Sequence, residues 1–380
     1  EHGCRRPSAG QESSEPGGPH RAALGLARAP TRPPAPSPRS PSRDEVADVY
    51  STPLLDLVFA AATVHRAHND PAMVQRCTLL SIKTGGCPED CGYCSQSSHH
   101  ETATKAEKLL DLDTVYEAAL RAKAAGSTRF CMGAAWRGPS QVGPRQWARV
   151  LDMIAQVRGL GMEVCATLGM VNGEQAGQLR DAGLSAYNHN LDTSPEFYPR
   201  VTSTRKYEDR LATLAAVRAA GVSVCAGGII GLGEAGADRV GLLHTLATLE
   251  AHPESVPINA LVAVEGTPME GNAAPTALDV VRCVATARVL MPASVVRLSA
   301  GRKEFNDGDQ AMAFLAGANS IFDGDRLLTT ANADRADDER LFAALGLRSR
   351  PAFLPYGAGG ESSRHGEKGV AAAAAAKATA

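Results

Sequence analysis

The sequence predicts an α/β fold, a TIM-type (βα)8 barrel with disordered N- and C-terminal tails. Three observations carry this: helical and β-prone runs alternate along the chain, the β-prone runs number eight, and 380 residues at 44% hydrophobic suffice for one barrel-sized core. Aromatic residues make up only 4%, so that core has to be aliphatic. An open doubly wound sheet shares the alternation and is the competing architecture.

Residues 1–43 are rich in Pro, Gly, Ser, Ala and Arg and lack apolar periodicity, a composition that does not repay the entropy of ordering. The seven arginines and many serines suit a disordered segment or an organellar transit peptide, with Glu12 and Glu15 against the latter. Residues 44–347 form the barrel domain. A helical region spans Asp44 to Asn69; its apolar run Leu54–Val64 contains Asp56 and falls well below the ~20 residues that span a bilayer. Residues 78–82 read as a strand, followed by β-prone runs at 128–134, 162–167, 184–191, 222–230, 256–264, 294–299 and 318–322. Between them lie helical patterns at 111–125, 145–160, 173–182, 206–220, 237–250, 276–290 and 307–316. Residues 348–380 are a low-complexity tail ending in Gly, Ser and a run of six alanines, too short to hold a helix alone.

The first strand leads directly into Thr84-Gly-Gly-Cys-Pro-Glu-Asp-Cys-Gly-Tyr-Cys-Ser95, which places Cys87, Cys91 and Cys94 on one loop. Three thiolates with no fourth nearby leave one metal position open, as a structural zinc site would not. Gly85, Gly86 and Gly92 let the loop wrap a bulky object, and Pro88 stiffens it. The reading is a 4Fe-4S cluster with a free iron; a zinc knuckle is the alternative. Nine cysteines, three of them on one loop, indicate a reducing compartment rather than a disulfide scaffold. A formal charge of −2 gives no long-range pull on nucleic acid or anionic membranes, so small-molecule substrates are expected.

Cys131, Cys165, Cys225 and Arg297 each fall inside a different predicted strand. A single cysteine in a strand is ordinarily inert core. Inward side chains of different barrel strands converge on one axis, however, and a buried arginine needs a negative partner. Asn188, Asn190 and Asp192 share one face by the period-two rule, and Asn259 interrupts an apolar strand. Amides there suit a urea-like ring, and Asp192 suits ribose hydroxyls. Gly227–Glu234 lacks the spacing of a phosphate loop and fits close approach to a cofactor. His99 and His100 point apart and are expected at the surface.

The cysteine spacing resembles that of the radical S-adenosylmethionine (SAM) superfamily, in which the free iron binds SAM and Tyr93 would lie beside the adenine. From Asp44 to Leu347 the chain is similar to the biotin synthase family, in Ser81–Cys87, Arg129–Trp136, Tyr187–Ser194, Gly227–Glu234 and Val296–Arg302. That resemblance implies a 4Fe-4S cluster on Cys87, Cys91 and Cys94, and a sulfur-donating 2Fe-2S cluster on Cys131, Cys165, Cys225 and Arg297. It further implies SAM contacts from Asn190, Asp192 and Arg210, and dethiobiotin contacts from Asn188, Asn190, Asn259, Thr329 and Thr330. The implied activity is sulfur insertion into dethiobiotin to form biotin. Implied partners are an electron donor such as flavodoxin or ferredoxin and iron-sulfur assembly proteins, with a homodimer expected and a bacterial cytoplasm or mitochondrial matrix as the compartment. Both tails and the loop Arg137–Gln146 have no counterpart role. Rival readings are a lipoyl-synthase-like enzyme, against which Cys4 stands alone with no second cysteine triad, and a non-catalytic iron-sulfur carrier, which has no need of Asn188, Asn190 and Asp192.

Overall fold

The computed structural model describes residues 40–324 and 326–352, so most of both predicted tails lies outside the described residues. The strands are β1 (Met73–Lys83), β2 (Arg129–Ala134), β3 (Glu163–Thr167), β4 (Ala186–Asn188), β5 (Ser223–Cys225), β6 (Gly228–Ile230), β7 (Ser255–Ala260), β8 (Val295–Leu298), β9 (Ser320–Phe322) and β10 (Arg348–Ser349). The helices are α1 (Arg43–Ser51), α2 (Leu54–His68), α3 (Leu112–Ala124), α4 (Pro144–Gly159), α5 (Gly173–Asp181), α6 (Tyr207–Ala219), α7 (Gly236–Ala247), α8 (Ala277–Leu290), α9 (Asp307–Leu315) and α10 (Arg335–Leu345). Every strand pairing is parallel, and β1 bonds both β2 and β9, which closes the sheet. The open doubly wound alternative is thereby excluded.

The barrel has eight staves because β5 and β6 are two halves of one predicted strand, broken at Ala226-Gly227. A Cβ on Gly227 would stand 1.9 Å from the Pro257 carbonyl oxygen, so the break between β5 and β6 meets the backbone of β7 where only glycine fits. The predicted strand at 184–191 shortens to Ala186–Asn188, whereas the first strand begins five residues earlier than expected, at Met73. Arg348–Ser349, assigned from sequence to the tail, pair with Met73 and Val74 of β1.

Alternation along the staves sorts the side chains. Phe130, Met132, Val164, Val224, Val256, Ile258, Val296 and Leu298 are buried in the main aliphatic core, and Cys131, Cys165, Cys225 and Arg297 alternate with them toward the axis. The next layer down is polar: Arg129 pairs with Glu163 at 2.5 Å, and Gln75 Nε2 donates to the same carboxylate at 3.1 Å. Ser42 and Glu45 form a reciprocal capping box that starts α1, and α1 and α2 pack on α7 and α8. Among the described residues no single helix is long and apolar enough to cross a membrane.

One buried ion pair ties the segment after β8 to α10. Arg302 Nη1 and Nη2 donate to the two oxygens of Asp338 at 2.6 and 2.5 Å, with both side chains almost wholly buried. Asp338→Ala would strand the guanidinium, leaving it Gln310 and the Phe322 carbonyl. The expected cost is about 3 kcal/mol, the low end for breaking a buried pair, read as a shift in the denaturant midpoint of the intact chain.

Candidate functional site

The loop after β1 is shaped by its own backbone. Gly85 and Gly86 both have φ of +66°, and a Cβ on Gly85 would lie 2.6 Å from the Lys105 carbonyl oxygen. The Cys87 N–H donates to the Gln96 carbonyl at 2.8 Å, and the Ser98 N–H returns to the Cys87 carbonyl at 2.7 Å. Asp90 accepts from the Ser203 N–H at 3.0 Å and from Thr202 Oγ1 at 2.6 Å, while the Gly92 N–H donates to the Val201 carbonyl at 2.8 Å. The loop is thus clamped to residues 201–203, beyond β4. His99 is exposed as expected, whereas His100 is half-buried, with a ring nitrogen 3.0 Å from the Cys91 carbonyl oxygen.

Cys87, Cys91 and Cys94 rim a cavity of about 340 Å³ that opens at the C-terminal ends of the staves. Burial, followed by the neighbouring Cys91 and Cys87, pushes the Cys94 thiol up to about 12. Burial also raises the Cys87 thiol. Thiols raised in this way ionise side by side only around a cation. Arg205 Nη2 donates to Cys91 Sγ at 3.0 Å and is held by the buried Glu89, which also takes Arg137 Nη1 at 2.9 Å. Among the described residues, no three His, Cys, Asp or Glu side chains converge as a single metal ion requires. Three thiols on one loop with a fourth position open are compatible with a multi-iron cluster.

The other predicted residues reach the same cavity from several elements. Tyr93 is half-buried against Ile229, Leu232, Leu261 and Met269. Asn188 closes β4, but Asn190 and Asp192 lie past its end, so strand alternation alone does not place them. Asp192 has φ of +66°, the one non-glycine residue with positive φ among those described, and its carboxylate is paired with Arg210 of α6. Arg210 Nε in turn donates to the Tyr198 hydroxyl at 2.8 Å. Asn259 lies on β7, its Nδ2 donating to the Gly228 carbonyl at 2.9 Å and its Oδ1 accepting from the Ala300 N–H at 3.3 Å. Thr329 and Thr330 line the cavity from the segment after β9, with Thr329 Oγ1 2.9 Å from Ser95 Oγ.

Cys131, Cys165 and Arg297 line the same cavity deeper in the barrel, and Cys225 lies behind Asn188, whose Nδ2 is 3.3 Å from its sulfur. Arg297 is fully buried: Nε donates to Ser320 Oγ at 3.0 Å, Nη1 faces Cys225 Sγ at 3.9 Å, and the guanidinium stands 4.8 Å from the centre of the Phe322 ring. Sequence reasoning missed Cys77, whose sulfur is 3.3 Å from Arg297 Nη2. Starting the first strand at Met73 would have found it, two residues before the inward Leu79. It also missed Arg205 and His189; His189 lines the cavity with Nε2 unpartnered, and burial beside Arg210 and Arg205 holds its ring neutral.

A parallel (βα)8 barrel with a three-cysteine loop at the C-terminal end of its first stave defines the radical SAM class, and residues 81–246 match the Radical SAM superfamily model. Residues 257–348 match the Biotin and Thiamin Synthesis associated domain. The chain is 58% identical over 311 residues to the mitochondrial biotin synthase of Arabidopsis thaliana, covering 82% of each. To the biotin synthase of Cytophaga hutchinsonii it is 56% identical over 312 residues, covering 82% of this chain and 92% of that one. Among solved structures, methylornithine synthase (PylB) superposes with a TM-score of 0.69 at 18% identity, covering 82% of this chain and 95% of that one. The hydrogenase maturase HydG from Carboxydothermus hydrogenoformans gives 0.70 at 15% identity, covering 84% and 78%. These two share the fold. The chain belongs to the biotin synthase family and is a radical SAM sulfurtransferase that uses a 4Fe-4S cluster and SAM.

Proposed function

We propose that the two ends of the cavity divide the work of converting dethiobiotin to biotin: Cys87, Cys91 and Cys94 hold the 4Fe-4S cluster at the mouth, and Cys131, Cys165, Cys225 and Arg297 hold a sulfur-donating 2Fe-2S cluster at the floor. The observation that carries this reading is one cavity, open at the C-terminal ends of the staves, with thiols at its mouth and its floor and hydrogen-bonding side chains between. When bound, the clusters and SAM supply a 5'-deoxyadenosyl radical and a sulfur atom, chemistry that no protein side chain offers toward unactivated C–H bonds.

The chain's own groups bind, orient and shield. Asn190, Asp192 and Arg210 face SAM, with Asp192 held by Arg210 so that its outer oxygen accepts ribose hydroxyls. Tyr93 offers an aromatic flank to the adenine. Asn188, Asn190 and Asn259 offer amides to the ureido ring, and Asn259 keeps one N–H donor and one acceptor site after its two backbone bonds. Thr329 and Thr330 offer hydroxyls to the substrate carboxylate. The closed barrel wall excludes water from the radical path.

The remaining assignments extend the same reading. An electron donor such as flavodoxin or ferredoxin, iron-sulfur assembly proteins and a second copy of the chain are the partners. Relatives in a mitochondrion and in bacteria, together with eight free cysteines among the described residues, support a reducing compartment, the bacterial cytoplasm or the mitochondrial matrix.

The test is anaerobic reconstitution with iron and sulfide, followed by turnover with SAM, a reductant and dethiobiotin. Biotin and 5'-deoxyadenosine are the expected products; 5'-deoxyadenosine without biotin from fully reconstituted protein would remove the substrate assignment. Asp192→Asn is expected to raise the KM for SAM by roughly 10- to 100-fold, the equivalent of one charge-assisted hydrogen bond, with far less change in the KM for dethiobiotin. Parallel anaerobic kinetics with each substrate varied would separate the two.

A further inference from the structure

The barrel floor carries one more thiol than the proposed ligand set uses. Cys77, on β1, is wholly buried, and its sulfur lies 3.3 Å from Arg297 Nη2 and 3.7 Å from Ser320 Oγ. Cys77 contacts Cys131, Cys131 contacts Cys165, and Cys165 contacts Cys225. Arg297 completes the circuit, reaching Cys225 with Nη1 at 3.9 Å and Cys77 with Nη2. Four thiols and one guanidinium, each from a different stave, therefore form a ring around the barrel axis. Five groups from five staves are more than one tetrahedral metal ion takes, so the ring suits an object with two metal centres better than a single ion.

A 2Fe-2S cluster takes four protein ligands, and the ring offers five candidates. The odd member is Arg297, because guanidinium binds metal only after losing a proton it rarely gives up, whereas thiolate is the ordinary ligand of iron in such clusters. We propose that Cys77 is the reserve ligand of this site: when Arg297 leaves its iron or is replaced, the Cys77 sulfur takes the vacated position and the cluster becomes all-cysteine. The inference rests on the reading of the floor as a 2Fe-2S site. The exchange would balance without an electron: the iron–nitrogen bond breaks, the iron–sulfur bond forms, and the thiol proton passes from Cys77 to the released guanidine, whose Nη2 is already its neighbour. Ser320 and Phe322 then hold the guanidinium in place.

The experiment compares the full-length wild type, Arg297→Met, Cys77→Ala and the double variant after anaerobic reconstitution, by iron and sulfide content and by resonance Raman spectra of the 2Fe-2S chromophore. Arg297→Met is expected to keep about six irons per chain and to shift to an all-thiolate spectrum, while Cys77→Ala keeps the wild-type spectrum. The double variant is expected to fall to about four irons, its surviving 4Fe-4S signal reporting an intact fold. A double variant that retains as much 2Fe-2S cluster as Arg297→Met overturns the proposal, and so does loss of the cluster in Arg297→Met itself. Should the double variant lose both clusters, the spectrum of Arg297→Met decides alone, and one unchanged from wild type refutes the proposal. Absence of any 2Fe-2S signal in the wild type would instead overturn the reading of the floor.

Discussion

Alanine in place of Cys87, Cys91 or Cys94 is expected to abolish reductive cleavage of SAM, with 5'-deoxyadenosine formation falling by at least about 10³-fold, because the members of such a site act as a unit. Each variant leaves two thiols where the proposed cluster site offers only three, and no neighbour can substitute. Ser95 is committed to Thr329, and the nearby carboxylates Glu89 and Asp90 are occupied by Arg137, Arg205 and residues 202–204. Arg205→Met should be much milder, within the ~10- to 100-fold range of residues that support a metal ligand, since it removes one hydrogen bond to Cys91. Quantifying 5'-deoxyadenosine from anaerobic single-turnover mixtures distinguishes these outcomes. Normal cleavage in any cysteine variant would mean that the loop does not hold the cluster.

The two thiol groups differ in how far the sequence revealed them. The loop cysteines are legible from spacing alone, because a short loop forces them together whatever the fold does. The floor cysteines required the fold to be right. Cys131, Cys165, Cys225 and Arg297 alternate with Phe130, Val164, Val224 and Val296 in their staves, so period two turns them inward once the sheet closes. Cys77 escaped because Gln75 and Arg76 make the start of its strand look like a loop. In the folded barrel Gln75 meets Glu163 and Arg76 meets Asp323, so polar residues are satisfied at a depth where a sequence pattern expects apolar ones. Asn190 and Asp192 show the opposite case: alternation assigned them to the cavity although their strand ends at Asn188. What places Asp192 is a left-handed backbone and an arginine 18 residues further on, and neither is a local sequence signal. The break at Gly227 was equally hidden, since only the approach of Pro257 across the sheet makes that glycine necessary.

Cys165→Ala is expected to have the largest effect on biotin formation at the floor. Cys165 lies in the middle of the sulfur chain, between Cys131 and Cys225, while the spare thiol Cys77 lies at its far end beside Cys131 and Arg297. In the proposed ligand set, losing Cys165 removes a thiolate at the point that Cys77 cannot reach, so the 2Fe-2S cluster should fail to assemble. Biotin formation should then drop by at least about 10³-fold, because sulfur transfer needs the donor whole. SAM binding and 5'-deoxyadenosine formation at the mouth should survive, since the loop proposed to hold the first cluster is braced by Gln96, Val201 and Ser203, away from the floor. Arg297→Met provides the contrast: it leaves every thiol in place and should retain the cluster. Iron, sulfide, 5'-deoxyadenosine and biotin measured together in the two variants give the answer. Cys165→Ala protein that keeps its 2Fe-2S spectrum would show that the floor ligands lie elsewhere, and loss of both clusters at once would show that mouth and floor are not independent.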